Sequence, residues 1–378
     1  MHTKPLSYIE LSQDALLHNL QLFRSLLRPE IKLSAVIKAN AYGHGQNGIA
    51  KIIEPYVDYF QIDDLLELRK LRLVSQKPTL VLGYVASSEL EEAVALDGIL
   101  VVYDTERLQI LDKIGRELGK KPLFHLKIDA LLGRQGILPE KLDEFFEAAR
   151  QYRNITIDGI YAHFANIEDT TDFTHAARQI ALYEESKRIA ESKGFTSLKT
   201  HIAATSGILA YEKDHGHNTI ARLGIGMYGM WPSEELRAEH EQPSFELKPV
   251  MRWVTHVAQV KTLPAGHPIG YGLTHTTTEA TKIAVIPQGY SDGYDRRLSN
   301  IGEALIQGTR CKVLGRIAMN MFVADVSHLD YVQREDEVVL LGSQGSETIY
   351  AEELAKKLDT INYEITARIS PLLPKIAV

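Results

Sequence analysis

The chain has 378 residues, 44% of them hydrophobic and 24% charged, which is enough apolar material for a large buried core. Its net charge of -7, with no basic tract, argues against a nucleic-acid partner. A single cysteine, Cys311, excludes an intrachain disulfide, and no apolar run approaches the roughly 18 residues of a membrane span. The opening MHTKPLSYIELSQ lacks the apolar core of a secretory signal, so a cytoplasmic protein with no membrane partner is expected.

Residues 1–10 can pack as a strand with the C-terminal part of the chain. From residue 31 to about 230 one rhythm repeats. Eight β-branched runs, KLSAVIKAN, VDYFQIDD, TLVLGYV, GILVVYD, LFHLKID, ITIDGIYAHF, LKTHIAA and TIARLGIGMYG, alternate with amphipathic stretches such as DLLELRKLRLV and TERLQILDKIGREL. The apolar residues of those stretches recur at three- and four-residue intervals, as helices packed on a sheet require. Ser87 and Thr105 stand where N-caps belong. Near-continuous apolar strands covered by helices form a parallel sheet, and eight such units predict a (β/α)₈ barrel over residues 11–244. An open doubly wound sheet is the alternative.

After about residue 245 the strand runs become antiparallel in character, separated by turns such as Pro264-Ala265-Gly266. Only AEELAKKLDTI looks helical there. The expectation is a second, mostly antiparallel β domain over residues 245–378, joined through the polar WPSEELRAEHEQPS.

Function in a barrel gathers at the C-terminal ends of strands. The polar residues found there are Lys38, Asp63, Asp64, Tyr84, Asp104, Lys127, Asp129, His163, His201 and Arg222. A charged residue at a strand end is also what any chain leaving its core displays. Lys38 stands out, because a lysine enclosed by apolar strand has its ammonium form disfavoured. Its free amine can then condense with a carbonyl cofactor such as pyridoxal phosphate. Gly224, Gly226 and Gly229 in LGIGMYG end the eighth run, and Thr205 and Ser206 follow the seventh, where barrels often bind phosphate. The HGHN run at 215–218 reads as a solvated loop, not a metal site, and no metal is expected.

Taken together, AVIKANAYGHG, YAHFAN, ARLGIGMYG, GYSDGYDRRLSN, GRIAMN and TINYEI resemble, in order, blocks of the bacterial alanine racemases, a fold-type III pyridoxal phosphate family. The resemblance spans nearly the whole chain. It implies a homodimer with shared active sites, racemising L- and D-alanine and supplying D-alanine for peptidoglycan. By the resemblance, Lys38 would attach the cofactor and act as one base, and Tyr271 of the partner subunit would be the opposite base. Tyr42, Tyr363, Thr205 (with Ser206 as alternate) and the Gly224 and Ile225 backbone would hold the phosphate. Arg222 would contact the pyridine nitrogen, and His163 would orient Arg222 and Tyr271. Arg134 and the partner's Met319 would meet the substrate carboxylate, and Lys127 matches a lysine carbamylated in some members.

Two-sided proton transfer at Cα independently needs a base on each face, and a tyrosine serving as one must have its pKa lowered from about 10. The chain departs from the family where Asp-Thr-Gly-Met is usual, reading Asp129-Ala130-Leu131-Leu132. It departs again where Cys-Met-Asp is usual, reading Ala318-Met319-Asn320. The rival readings are a serine or broad-specificity racemase, a decarboxylase, and a non-catalytic cofactor carrier.

Overall fold

The structure, a computed structural model, describes residues 5–169, 171–212 and 218–378. His215, Gly216 and His217 of the HGHN run lie outside the described residues. Packing divides the chain into two units: Leu17–Ala39 with Ile49–Leu247, and the residues up to Leu16 with Asn40–Gly48 and Lys248–Val378. The first strand, Tyr8–Leu11 (β1), belongs to the second of these.

The larger unit holds β2 (Lys32–Val36), β3 (Tyr59–Ile62), β4 (Thr79–Val81), β5 (Gly98–Val102), β6 (Leu123–Lys127), β7 (Thr156–Tyr161), β8 (Lys199–His201) and β9 (Ile220–Leu223). They make one parallel sheet in the order β8-β7-β6-β5-β4-β3-β2-β9. Between its ends Thr219 N donates to Thr200 O at 3.0 Å and Arg222 N to Ala203 O at 3.2 Å, so the sheet curls nearly to closure. This is the expected eight-stranded barrel. Tyr59, Leu80, Ile99 and Ile220 fill one buried layer together, the bulky packing that keeps such a barrel from being a pore.

The connecting helices place their leucines on the sheet. Leu65–Arg72 buries Leu65, Leu68 and Leu71, and its N-cap is Asp64, whose carboxylate accepts from Glu67 N. The caps expected at Thr105 and Ser87 are not made. Asp104 accepts from Arg107 N at 2.9 Å in place of the Thr105 hydroxyl, and Ser87 already lies inside a short 3₁₀ turn. A carboxylate at a helix start also answers the positive end of the helix dipole, which a hydroxyl does not. The polar linker is not wholly irregular: Glu234–His240 is helical, with Ser233 accepting from Leu236 N.

The smaller unit adds β10 (Met251–His256), β11 (Gln259–Leu263), β12 (Pro268–Ile269), β13 (His275–Thr276), β14 (Thr281–Ile286), β15 (Glu303–Ile306), β16 (Thr309–Leu314), β17 (Phe322–Asp325), β18 (Glu337–Gln344), β19 (Glu347–Ile349) and β20 (Lys375–Ala377). Its main sheet is antiparallel except for the β1–β20 pair. β1 pairs antiparallel with β10, from Tyr8 opposite Val254 to Leu11 opposite Met251. Besides the expected helix at Ala351–Leu358 there is a second at Asn362–Ala367, six residues long and too short to announce itself by periodicity. Cys311 is buried in β16 with its thiol pushed up to about 12 by burial, as suits a structural residue. Among the described residues no helix is long and apolar enough to cross a membrane.

Candidate active site

Lys38 does not simply end a strand. It opens the helical turn Lys38–Tyr42, in which Ala39, Asn40, Ala41 and Tyr42 all have φ between 51° and 54°. Four consecutive left-handed residues without glycine are strained by about 1–2 kcal/mol each. The turn is held by local bonds. His44 Nδ1 lies 3.0 Å from Ala41 O and 3.1 Å from Tyr42 O, and Asn40 Oδ1 accepts from Gln46 N. Gly43, at φ 87°, then allows a close approach, since a Cβ there would stand 2.0 Å from Thr366 O. Strain held by surrounding structure in this way clusters at functional sites.

Lys38 is not the desolvated lysine that its place after an apolar strand predicts. The Lys38 side chain is 40% exposed, 3.4 Å from Asp63 Oδ1. The desolvated lysine is Lys127, only 3% exposed at the end of β6. Burial, reinforced by the charges of Arg222, Arg134 and Lys38, pushes its amine down to about 7. A residue two places from the end of an apolar strand is buried or open according to where the following turn carries it, which strand patterning does not report.

Arg222, buried at the end of β9, is fixed by carbonyls from the ends of neighbouring strands. Nη2 donates to Ala162 O at 2.9 Å and Ile202 O at 2.5 Å, and Nε to Ala203 O at 3.3 Å. Nη2 also lies 3.3 Å from His163 Nδ1. Because arginine only donates, that nitrogen of His163 is an acceptor. Burial and the charge of Arg222 hold the imidazole neutral, well below its usual range, so its proton resides on Nε2. Tyr161, which is not among the polar strand-end residues predicted from sequence, underlies the cluster: Lys127 Nζ stands 4.4 Å and Arg222 Cζ 5.5 Å from its ring centre. Its place as the last residue of β7, two before His163, is the available signal.

Thr205 and Ser206 are both buried but differently engaged. Thr205 Oγ1 accepts from Gly224 N at 3.1 Å and Gly226 N at 3.4 Å, whereas Ser206 Oγ donates to Glu168 at 2.7 Å. A Cβ on Gly226 would stand 2.4 Å from the Phe23 ring, so backbone N–H groups converge where a side chain cannot enter. Arg134 is exposed, in a loop that Asp129 organises by accepting from Leu132 N and Gly133 N at 2.9 Å each. Leu131 in that loop sits at φ 62°, at the position where the resembling family usually has glycine.

The smaller unit holds the other candidates. Tyr42 and Tyr363 lie with ring centres 6.0 Å apart. Tyr271 is 72% exposed, on a tight turn between β12 and β13. Gly270 and Gly272 flank it at φ 73° and 70°, and a Cβ on Gly272 would stand 2.9 Å from Arg316 Nη1. Met319 is exposed too, and its carbonyl accepts from Ser291 N and Oγ, while Asn320 Nδ2 donates to Ser291 Oγ at 2.7 Å. A Cβ on Gly289 would stand 2.2 Å from Ala318 O, so glycine is what lets this loop close in.

Lys38, Arg134 and Arg222 all bear electrostatically on Lys127 in the barrel unit. With convergent backbone N–H groups beside them, this donor set suits an anionic ligand carrying a phosphate and a carboxylate. The family model for the N-terminal domain of alanine racemase matches residues 11–232, and that for the C-terminal domain matches residues 250–377. The alanine racemase of Leptospira interrogans is 34% identical over 98% of this chain and 96% of its own length. That of Syntrophobacter fumaroxidans is 36% identical over 96% of this chain and 95% of its own. The solved alanine racemase of Clostridium difficile 630 superposes with a TM-score of 0.91 at 30% identity, covering 100% of this chain and 96% of that one. The chain belongs to the alanine racemase family, enzymes that depend on pyridoxal phosphate and act on a small amino acid.

Proposed function

We propose that the chain racemises alanine by two-base proton transfer, with pyridoxal phosphate bound at the mouth of the barrel. The observation that carries this reading is the cationic cluster around Tyr161 beside the Thr205–Gly226 cradle, which is chemically matched to that cofactor and to an amino-acid carboxylate. Bound pyridoxal phosphate supplies the electron sink that makes the substrate Cα proton removable.

Lys38 would hold the cofactor through its amine and then accept or return the proton on one face, with Asp63 Oδ1 3.4 Å from its Nζ to orient it. Thr205, the Gly224 and Ile225 amides and, by resemblance, the hydroxyls of Tyr42 and Tyr363 would hold the phosphate. Ser206 is the weaker choice, its hydroxyl being given to Glu168. Arg222 would donate to the pyridine nitrogen. A guanidinium there cannot support a protonated ring, so the sink is kept moderate and side reactions are limited. His163, with its proton on Nε2, is able to donate toward the oxygen of Tyr271, which a second copy of the chain would bring to the opposite face. Arg134 and Met319 would meet the substrate carboxylate.

Lys127 would be carbamylated. A buried amine with a pKa near 7 among three cations is a competent nucleophile for carbon dioxide, and the product places a negative charge where one is wanted. A homodimer is supported by the exposed Tyr271, Leu273, Tyr290, Met319 and Met321 of the smaller unit, apolar side chains that a partner would cover. Supply of D-alanine to peptidoglycan and a cytoplasmic, reducing setting belong to the same proposal, the latter on the single-cysteine composition. A broader amino-acid range is the second reading, favoured by Asn320 in place of the family's carboxylate and by Ala130, Leu131 and Leu132. Incubation of cofactor-loaded protein with L-alanine in deuterated water tests the main reading. D-alanine bearing deuterium at Cα is expected. Absence of exchange sinks the proposal, and a faster reaction with serine favours the second reading.

A further inference from the structure

Inside the barrel unit runs a buried polar line that the proposed reaction does not use. His125 of β6 reaches across β7 to β8, its Nδ1 2.8 Å from His201 Nε2. Its Nε2 lies 3.2 Å from Asp158 Oδ2, and Lys199 Nζ donates to both Asp158 oxygens at 2.8 Å. Both imidazoles are fully buried. The crossing is built into the backbone. Phe124 pairs with Ile157 but His125 pairs with Gly159, so Asp158 is the extra residue of a β-bulge that aims its carboxylate at the ring. A Cβ on Gly159 would stand 2.7 Å from His125 atoms, so only glycine lets the imidazole pass over β7.

The order of these bonds dictates tautomers. A carboxylate paired with Lys199 only accepts, so His125 carries its proton on Nε2 and accepts at Nδ1. His201 must then donate from Nε2, which leaves Nδ1 bare. Burial keeps both rings uncharged. His201 Nδ1 is indeed buried with no hydrogen-bond partner among the described residues. Its ring stacks on Tyr161, centres 4.6 Å apart and planes 11° from parallel, the same tyrosine that Lys127 and Arg222 face. The groups bearing on His201 are Arg222, His125, Lys127 and His163; those bearing on His125 are Asp158, Lys199, Arg222 and His201.

We propose that Asp158 and His125 are positioning residues that lock His201 in its Nε2–H tautomer, keeping a bare nitrogen among the cations around Tyr161. In the reverse tautomer an N–H dipole turns its positive end into that cluster and disturbs Arg222, which Ile202 and Ala203, the residues following His201, hold by their carbonyls. The functional consequence rests on the role proposed for Arg222.

Nitrogen-15 NMR of histidine-labelled, cofactor-loaded full-length protein reads the tautomer directly. The expected wild-type signal is a protonated Nε2 and an unprotonated Nδ1 on His201 at neutral pH. Asp158→Asn, whose amide is able to donate to His125, is expected to reverse the line in part of the population and lower kcat about tenfold, with KM within about twofold. Lys199→Met, which leaves the carboxylate in place, is expected to keep the wild-type tautomer. A proton on Nδ1 of wild-type His201 overturns the lock without any variant having to fold. An unchanged tautomer and kcat in Asp158→Asn overturns the positioning role. The expected tautomers in a protein that does not racemise alanine uphold the lock and refute the proposed function.

Discussion

The two units carry their candidate groups in opposite conditions. In the barrel unit Lys127, His201 and Arg222 are buried and His163 is partly so. Burial and the neighbouring cations push the pKa values of Lys127, His163 and His201 down. In the smaller unit Tyr271 and Met319 stand exposed on loops braced by glycines and Arg316. The contrast teaches a division of labour. The barrel crowds cations that the proposed anionic cofactor would relieve, whereas the smaller unit exposes side chains whose surroundings the proposed partner would complete.

The largest effect expected is at Lys38. Lys38→Ala should cost at least about 10³-fold in racemisation, because one base and the cofactor's attachment vanish together, while thermal stability changes little for so exposed a side chain. Steady-state rates and a melting curve check this, and a comparable loss from Lys127→Ala alone would invert the comparison. Next comes Tyr271→Phe, which should lower proton abstraction from one enantiomer by about 10² to 10⁴ and leave the melting temperature unmoved. Deuterium wash-in from each enantiomer separates the faces, and equal small losses from both would remove Tyr271 as a dedicated base.

A smaller effect is expected on stability in acid. Burial pushes His44 down to about 4 from 6.5. Below pH 6.5 the unfolded chain takes up a proton that the native protein refuses, so stability falls as pH drops from 6.5 to 4, by at most about 3 kcal/mol. His44→Gln removes this group's share of the acid loss. Denaturant midpoints of both proteins between pH 4 and 7 test it, and parallel curves would contradict it.

The barrel was legible because apolar period and helix spacing repeat eight times, and Lys38, Arg222 and Thr205 were legible as polar residues at strand ends. What the sequence hid were matters of backbone path. No pattern marks the left-handed turn after Lys38, since Ala39, Asn40 and Ala41 would serve equally in a right-handed helix. Nor does one mark the bulge at Asp158, which decides that His125 and not its neighbours reaches His201. Strand patterning consequently predicts the desolvated lysine at position 38, whereas it lies at 127.

The smallest effect concerns Leu131, held at φ 62° where glycine is at ease. Leu131→Gly trades about 1–2 kcal/mol of strain against about 1 kcal/mol of extra unfolded-state entropy, so stability should be unchanged or slightly raised. A calorimetric loss above about 1 kcal/mol would show that contacts of this half-exposed side chain outweigh the strain.

The central claim, that the exposed Lys38 and not the desolvated Lys127 carries the cofactor, is tested most directly by borohydride reduction of the pyridoxal phosphate-loaded protein followed by peptide mass mapping. The cofactor's added mass should fall on the peptide containing Lys38, with Lys127 unlabelled. Labelling at Lys127 instead would contradict the account.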